Sequence, residues 1–162
     1  MIKNWILVLF IFSLFFLVME RVSAEINPVE FRFVCDGPAP ECSKEIAKRT
    51  GEELWVENKS VFDIDDIESA SVNSQPEFVD GIQVGEKVYS IRIDFKDLIK
   101  VEDVTSRNIG KRLGVFIDGK LIIAPLIVES IIGGKLEISV APYEDREIKR
   151  WVDFINNSLQ TK

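Results

Sequence analysis

The 162-residue chain carries 27 acidic against 20 basic side chains, a net charge of −7, which argues against nucleic acid or anionic lipid as the main partner, since both are bound through basic patches. It contains no histidine, so the Ser-His-Asp and Cys-His mechanisms are excluded within one chain and the commonest metal ligand is missing. No cofactor or metal site is expected.

The first 24 residues differ in composition from the rest: Lys3 precedes an apolar run from Trp5 to Met19, followed by Val22-Ser23-Ala24. A basic start, an apolar stretch and small residues before Glu25 form a secretory signal, cleaved after residue 24. The alternative is an uncleaved anchor, because the run approaches the roughly 20 apolar residues of a bilayer span; membrane contact is expected only in that case. Residues 25–162 then make one domain, periplasmic or secreted, long enough to bury a single core.

Residues 28–35 alternate, with Val29, Phe31, Phe33 and Cys35 set against Glu30, Arg32 and Val34, the period of a half-buried strand. Cys35 and Cys42 flank a turn-rich Asp-Gly-Pro-Ala-Pro-Glu loop. In an oxidising envelope such a pair is most simply a disulfide. The other reading, a redox or metal pair, does not have the spacing of either motif. A short helix over 43–49 and a strand over 53–57 follow, the strand carrying Leu54 and Val56 on one face. The acidic group Asp63, Asp65, Asp66 and Glu68 lacks the glycine and closing glutamate of a calcium loop and reads as a solvated helix start.

Residues 72–85, punctuated by Asn73, Ser74, Pro76, Gly81 and Gly85, read as an irregular strand and loop. Strict alternation over 87–95 gives a strand, and 97–109 a helix presenting Leu98, Val101 and Val104, with Ile109 in support. Gly110 can take the left-handed conformation that closes this helix, with Lys111 and Arg112 near its orphan carbonyls. Leu113, Val115 and Ile117 begin a strand that Asp118-Gly119, the favoured pair for a two-residue turn, folds into a hairpin. Pro125 separates strand 121–124 from strand 126–131, and Gly133-Gly134 makes a tight turn before strand 135–140. The last helix runs from Pro142 to Leu159. Ile148, Trp151, Val152, Ile155 and Leu159 form its apolar stripe.

The segment from Asn108 to Ile127, NIGKRLGVFIDGKLIIAPLI, resembles a motif of the SecD periplasmic head-domain family that reads approximately N-x-G-K-R-L-A-I-x-L-D-G-x-V-x-S-A-P-x-I. Asn108, Gly110, Lys111, Arg112, Leu113, Asp118, Gly119, Ala124, Pro125 and Ile127 fall into register without a gap, and weaker similarity extends over residues 53–159. The resemblance implies an α+β domain, with a mixed, largely antiparallel sheet and two main helices packed on one face. It also implies a non-enzymatic module that engages protein or unfolded polypeptide, with the Sec export machinery as a further partner.

The glycine, proline and aspartate of the motif have explanations in turn chemistry that need no ligand. A binding surface would be the sheet edge near 125–131, with Phe116, Ile123 and Ile127 as apolar contacts, open to an added strand. The competing reading places those side chains in the core. Two other functions stay open: a structural or regulatory subunit of an envelope complex, and a carboxylate-dependent hydrolase using Asp63 or Asp118.

Overall fold

A computed structural model describes residues 27–79, 82–139 and 145–161, without the side chains of 77–86. The leader at residues 1–24 and the Pro142 start of the last helix lie outside the described residues. Nine strands and two helices run in the order β1 (Val29–Phe33), β2 (Cys42–Ile46), β3 (Glu53–Glu57), β4 (Phe62–Asp63), β5 (Ile67–Val79), β6 (Ile82–Phe95), α1 (Leu98–Ser106), β7 (Leu113–Ile117), β8 (Lys120–Ile123), β9 (Lys135–Ser139) and α2 (Asp145–Gln160). They form three sheets, ordered β4-β1-β7-β8, β2-β3 and β5-β6-β9. Every pairing among the described strands is antiparallel, and the α+β class stands.

All five residues of β7 are buried, because both its faces are covered. Leu113, Val115 and Ile117 point into the main core with Val29, Phe31 and Phe33 of β1. Phe116 points the other way, into a smaller cluster with Leu54 and Val56 of β3, Leu121 and Ala124. Gly114 lies on that second face, where an added Cβ would stand 3.1 Å from Leu121 and 3.3 Å from the Arg32 carbonyl. The close approach of neighbouring strands therefore favours glycine there.

In the main core, Phe31, Phe62 and Phe95 form a triangle with ring centroids 5.2–6.1 Å apart. Such pairs contribute roughly 0.5–1.5 kcal/mol each beyond area burial. The triangle joins β1 and β4 of the four-stranded sheet to β6 of the three-stranded one. Ile148, Trp151, Val152 and Ile155 of α2 are buried in the same core, as the stripe predicted. The helix also reaches the border of β5, where the Asn156 side-chain amide accepts from Ala70 N at 3.1 Å and donates to Ala70 O at 2.8 Å.

Three expectations are corrected. Residues 42–46 form a strand rather than the start of a helix. The Cys35–Cys42 disulfide holds that segment beside β3, and pairing from Cys42↔Glu57 to Ile46↔Glu53 outweighs its local helix preference. Residues 72–79 lie in the long β5–β6 hairpin, so the irregular strand is present, with its register shift between Pro76 and Phe78, while the expected loop over the described residues is replaced by strand. Pro76 is tolerated because β5 borders its sheet and the register shifts between Pro76 and Phe78. Residues 126–131 do not form a strand; past Pro125 only Leu126 makes a bridge, to Arg112.

The disulfide closes its loop across a sequence separation of 7, alongside backbone bonds from Cys35 N to Trp55 O and from Cys42 N to Ala39 O. Replacing both cysteines by serine should lower the unfolding free energy by about 2–3 kcal/mol, measured as a fall in the urea midpoint. An unmoved midpoint would show that the backbone bonds suffice.

Candidate functional site

Helix α1 is capped at its start by Asp97, whose side chain accepts from Lys100 N, and at its end by Asn108, whose Nδ2 donates to Val104 O at 2.8 Å. Gly110 follows with φ 89° and reverses the chain. Beyond β8, residues 125–127 pair with this return: Leu113 N donates to Pro125 O, Ile127 N to Lys111 O and Gly110 N to Ile127 O. The chain then runs back along α1 as a strap. Ser130 Oγ donates to Glu102 O, and Ile131 N donates to Thr105 Oγ1 at 2.9 Å. Thr105 is wholly buried and in turn donates to Val101 O at 2.7 Å.

Extended pairing makes successive side chains alternate. Ile127 turns inward, while Leu126 and Val128 turn out, 54% and 72% exposed. Farther along, Ile132 is 75% exposed, and Leu98, Ile99 and Ile109 at the two ends of α1 are exposed as well. Among the described residues, six of the eight exposed large apolar side chains thus belong to α1, its C-terminal return and the strap. Single exposed apolar residues need no explanation, whereas most of those among the described residues fall on these neighbouring segments.

Leu126 also lines a cleft of about 780 Å3 between the disulfide loop and the Gly110–Arg112 return, and the largely buried Phe33 reaches its border. Lys111 Nζ stands 5.5 Å from the centre of the Phe33 ring. Arg112 is committed elsewhere: its two terminal nitrogens donate to the Glu52 carboxylate, both at 2.8 Å, and its Nε donates to Ala124 O. The hydrogen bond with Arg112 holds the Glu52 carboxyl below its ordinary pKa and raises that of the guanidinium. This two-pronged pair ties the turn between β2 and β3 to the entry of β7, and the Nε bond extends the link to the end of β8.

The remaining motif residues are placed in turns and packing. Asp118 and Gly119 both have positive φ, as the β7–β8 hairpin requires; Asp118 N donates to Pro28 O, and its side chain meets Lys120 at 3.5 Å. Ala124 is buried and Pro125 exposed. The expected apolar contacts are corrected in part: Phe116 is buried beneath the β2–β3 hairpin, Ile127 is buried beneath the strap and Ile123 is half-buried, so none is freely presented. The same strand alternation that hides Ile127 exposes its neighbours. Asp63 caps a 3-10 turn by accepting from Asp65 N, and Asp66 pairs with Lys100. No cluster of three or more metal-ligating side chains occurs among the described residues.

Residues 41–145 match the family model for the SecDF P1 head subdomain. A stretch covering 35% of the chain is 33% identical to protein translocase subunit SecD of Acidaminococcus fermentans, and a stretch of the same share is 39% identical to protein translocase subunit SecDF of Thermus thermophilus. These matches span only 14% and 8% of the relatives' lengths. The solved structure of SecDF, described as a membrane component that enhances protein export, superposes with a TM-score of 0.56 at 22% identity, covering 80% of this chain and 62% of that one. A second, SecDF in a super-membrane-facing form, gives 0.51 at 20% identity over 80% of this chain and 18% of that one. At those identities the likeness is one of fold.

The depressed Glu52 pKa fixes the sign of a pH effect. The pair stabilises the fold above the unfolded-state carboxylate pKa, and that contribution is lost as pH falls through the lower folded-state value. Glu52→Gln should therefore be less stable than the parent at neutral pH, with the two urea midpoints converging in acid. A constant gap down to pH 2 would overturn this assignment.

Proposed function

The chain belongs to the SecDF P1 head family, and from that premise we propose that it is an exported, non-enzymatic module that binds polypeptide and assists protein export or folding in the bacterial envelope. The observation that carries this reading is the gathering of Leu98, Ile99, Ile109, Leu126, Val128 and Ile132 on one helix and its strap. An unfolded chain in transit presents apolar side chains in no fixed order, and an open apolar shelf can take them with little selectivity. Contact removes apolar area from water at roughly 25 cal/mol per Å2, while the shelf's own framework is held by bonds such as Ile131 N to Thr105 Oγ1.

The shelf replaces the sheet edge near 125–131 as the contact surface, because the residues there do not form a strand. Binding through side chains, rather than by strand addition, follows from that difference. A periplasmic or secreted location fits the leader-like N-terminus. Among the described residues no helix is long and apolar enough to cross a membrane.

Replacing Leu126 and Val128 together by aspartate tests the reading, because both are exposed and surface changes usually alter stability by no more than about 0.5 kcal/mol. Capture of an immobilised unfolded polypeptide should weaken about tenfold or more, with the melting temperature nearly unchanged. Ile46→Asp, at an exposed apolar position away from the shelf, should bind as the parent does. Equal capture by all three proteins would remove the shelf from the account.

A further inference from the structure

The cleft that meets the shelf at Leu126 is not electrically neutral. Asp36 and Glu41 of the disulfide loop and Glu57 at the end of β3 line it, and none of the three has an ion-pair partner among the described residues. On the opposite wall the Arg112 charge is taken up by Glu52, which leaves Lys111 over the Phe33 ring as the one uncompensated cation. One wall is therefore acidic, and the other combines Leu126, Phe33 and a single ammonium.

From this asymmetry we infer that the cleft selects segments of polypeptide in which apolar residues lie next to lysine or arginine. The inference rests on the proposed polypeptide-binding function and names the class of segment its site prefers. An apolar side chain seated on the exposed Leu126 brings the neighbouring residue of the bound segment towards the disulfide loop. A cation there meets carboxylates that no cation among the described residues pairs with, whereas an acidic residue meets like charge. A volume of about 780 Å3 falls within the range of sites that enclose small ligands, so the selection acts on a few residues at a time. The disulfide has a place in this account, because it anchors the loop that carries Asp36 and Glu41 at the cleft's border.

The test is fluorescence anisotropy of the purified protein with three labelled peptides that share their apolar residues and differ only in carrying lysine, glutamine or glutamate at the flanking positions. The lysine peptide should bind about three- to tenfold more tightly than the glutamine peptide at low salt, the scale of a few partly exposed ion pairs, and the advantage should fade at about 1 M salt, where the screening length is roughly 3 Å. Combining Asp36→Asn, Glu41→Gln and Glu57→Gln should abolish the preference and leave affinity for the glutamine peptide unchanged. Equal binding of all three peptides by the parent would overturn the charge selection while leaving polypeptide binding in place. Binding of none would overturn both. Self-association of the protein that Leu126→Asp abolishes would assign the cleft to a second copy of the chain and overturn the inference as well.

Discussion

Strand β7 is covered on both faces, and the rest of the molecule is arranged around that constraint. A strand with one wet face needs only alternating apolar residues, but here Phe116 must be covered as fully as Val115 and Ile117 are. The β2–β3 hairpin supplies that cover with Leu54 and Val56, and the disulfide and the Arg112–Glu52 pair hold the hairpin in place. On the opposite face, β1 and the phenylalanine triangle connect β7 to the second sheet and, through it, to the last helix. The two ends of β7 are the two densest parts of the family motif. Gly110–Arg112 brings the chain in from α1, and Asp118-Gly119 sends it back as β8.

The residues that identify the family are thus mainly those that shape backbone, while the surface available for binding is made by their less distinctive neighbours. Pairing of 125–127 with the Gly110 return fixes which of Leu126, Ile127 and Val128 face water. Pro125 prevents continuation of a regular strand, so the strap is held to α1 through Thr105 and Glu102 instead of through a sheet ladder. The exposed apolar side chains thus stand on a frame held by those hydrogen bonds.

Much of this was legible in the sequence wherever the controlling interaction is local. The alternation of 28–35 and 87–95, the Asp118-Gly119 turn and the stripe of the last helix each depend on neighbours a few residues away, and each has its counterpart in the structure, whereas Gly110 is left-handed but lies past Asn108, which caps the helix in its place. Ser43–Arg49 suits a helix locally, whereas pairing with β3 and the bond to Cys35 decide the outcome for 42–46. Asn73, Ser74 and Pro76 signal an irregular strand broken by a loop, and the length of the β5–β6 hairpin is not evident from them because a border strand tolerates such residues. For Phe116 the sequence leaves a surface and a core place both open, because nothing nearby reveals that a separate hairpin lies over it. The shelf itself left one trace, the alternation around Ile127. Its partner Ile99 gave none, and Leu98 pointed inwards by periodicity.

At Ala70, the Asn156 side chain occupies both hydrogen-bonding positions that a neighbouring strand would use. Because that amide arrives on a helix whose other side is buried in the core, nothing can extend this sheet at Ala70 unless the C-terminal helix lifts away and uncovers Ile155 and Trp151. Closure of the β5 border at Ala70 and packing of the last helix against the hydrophobic interior are consequently coupled.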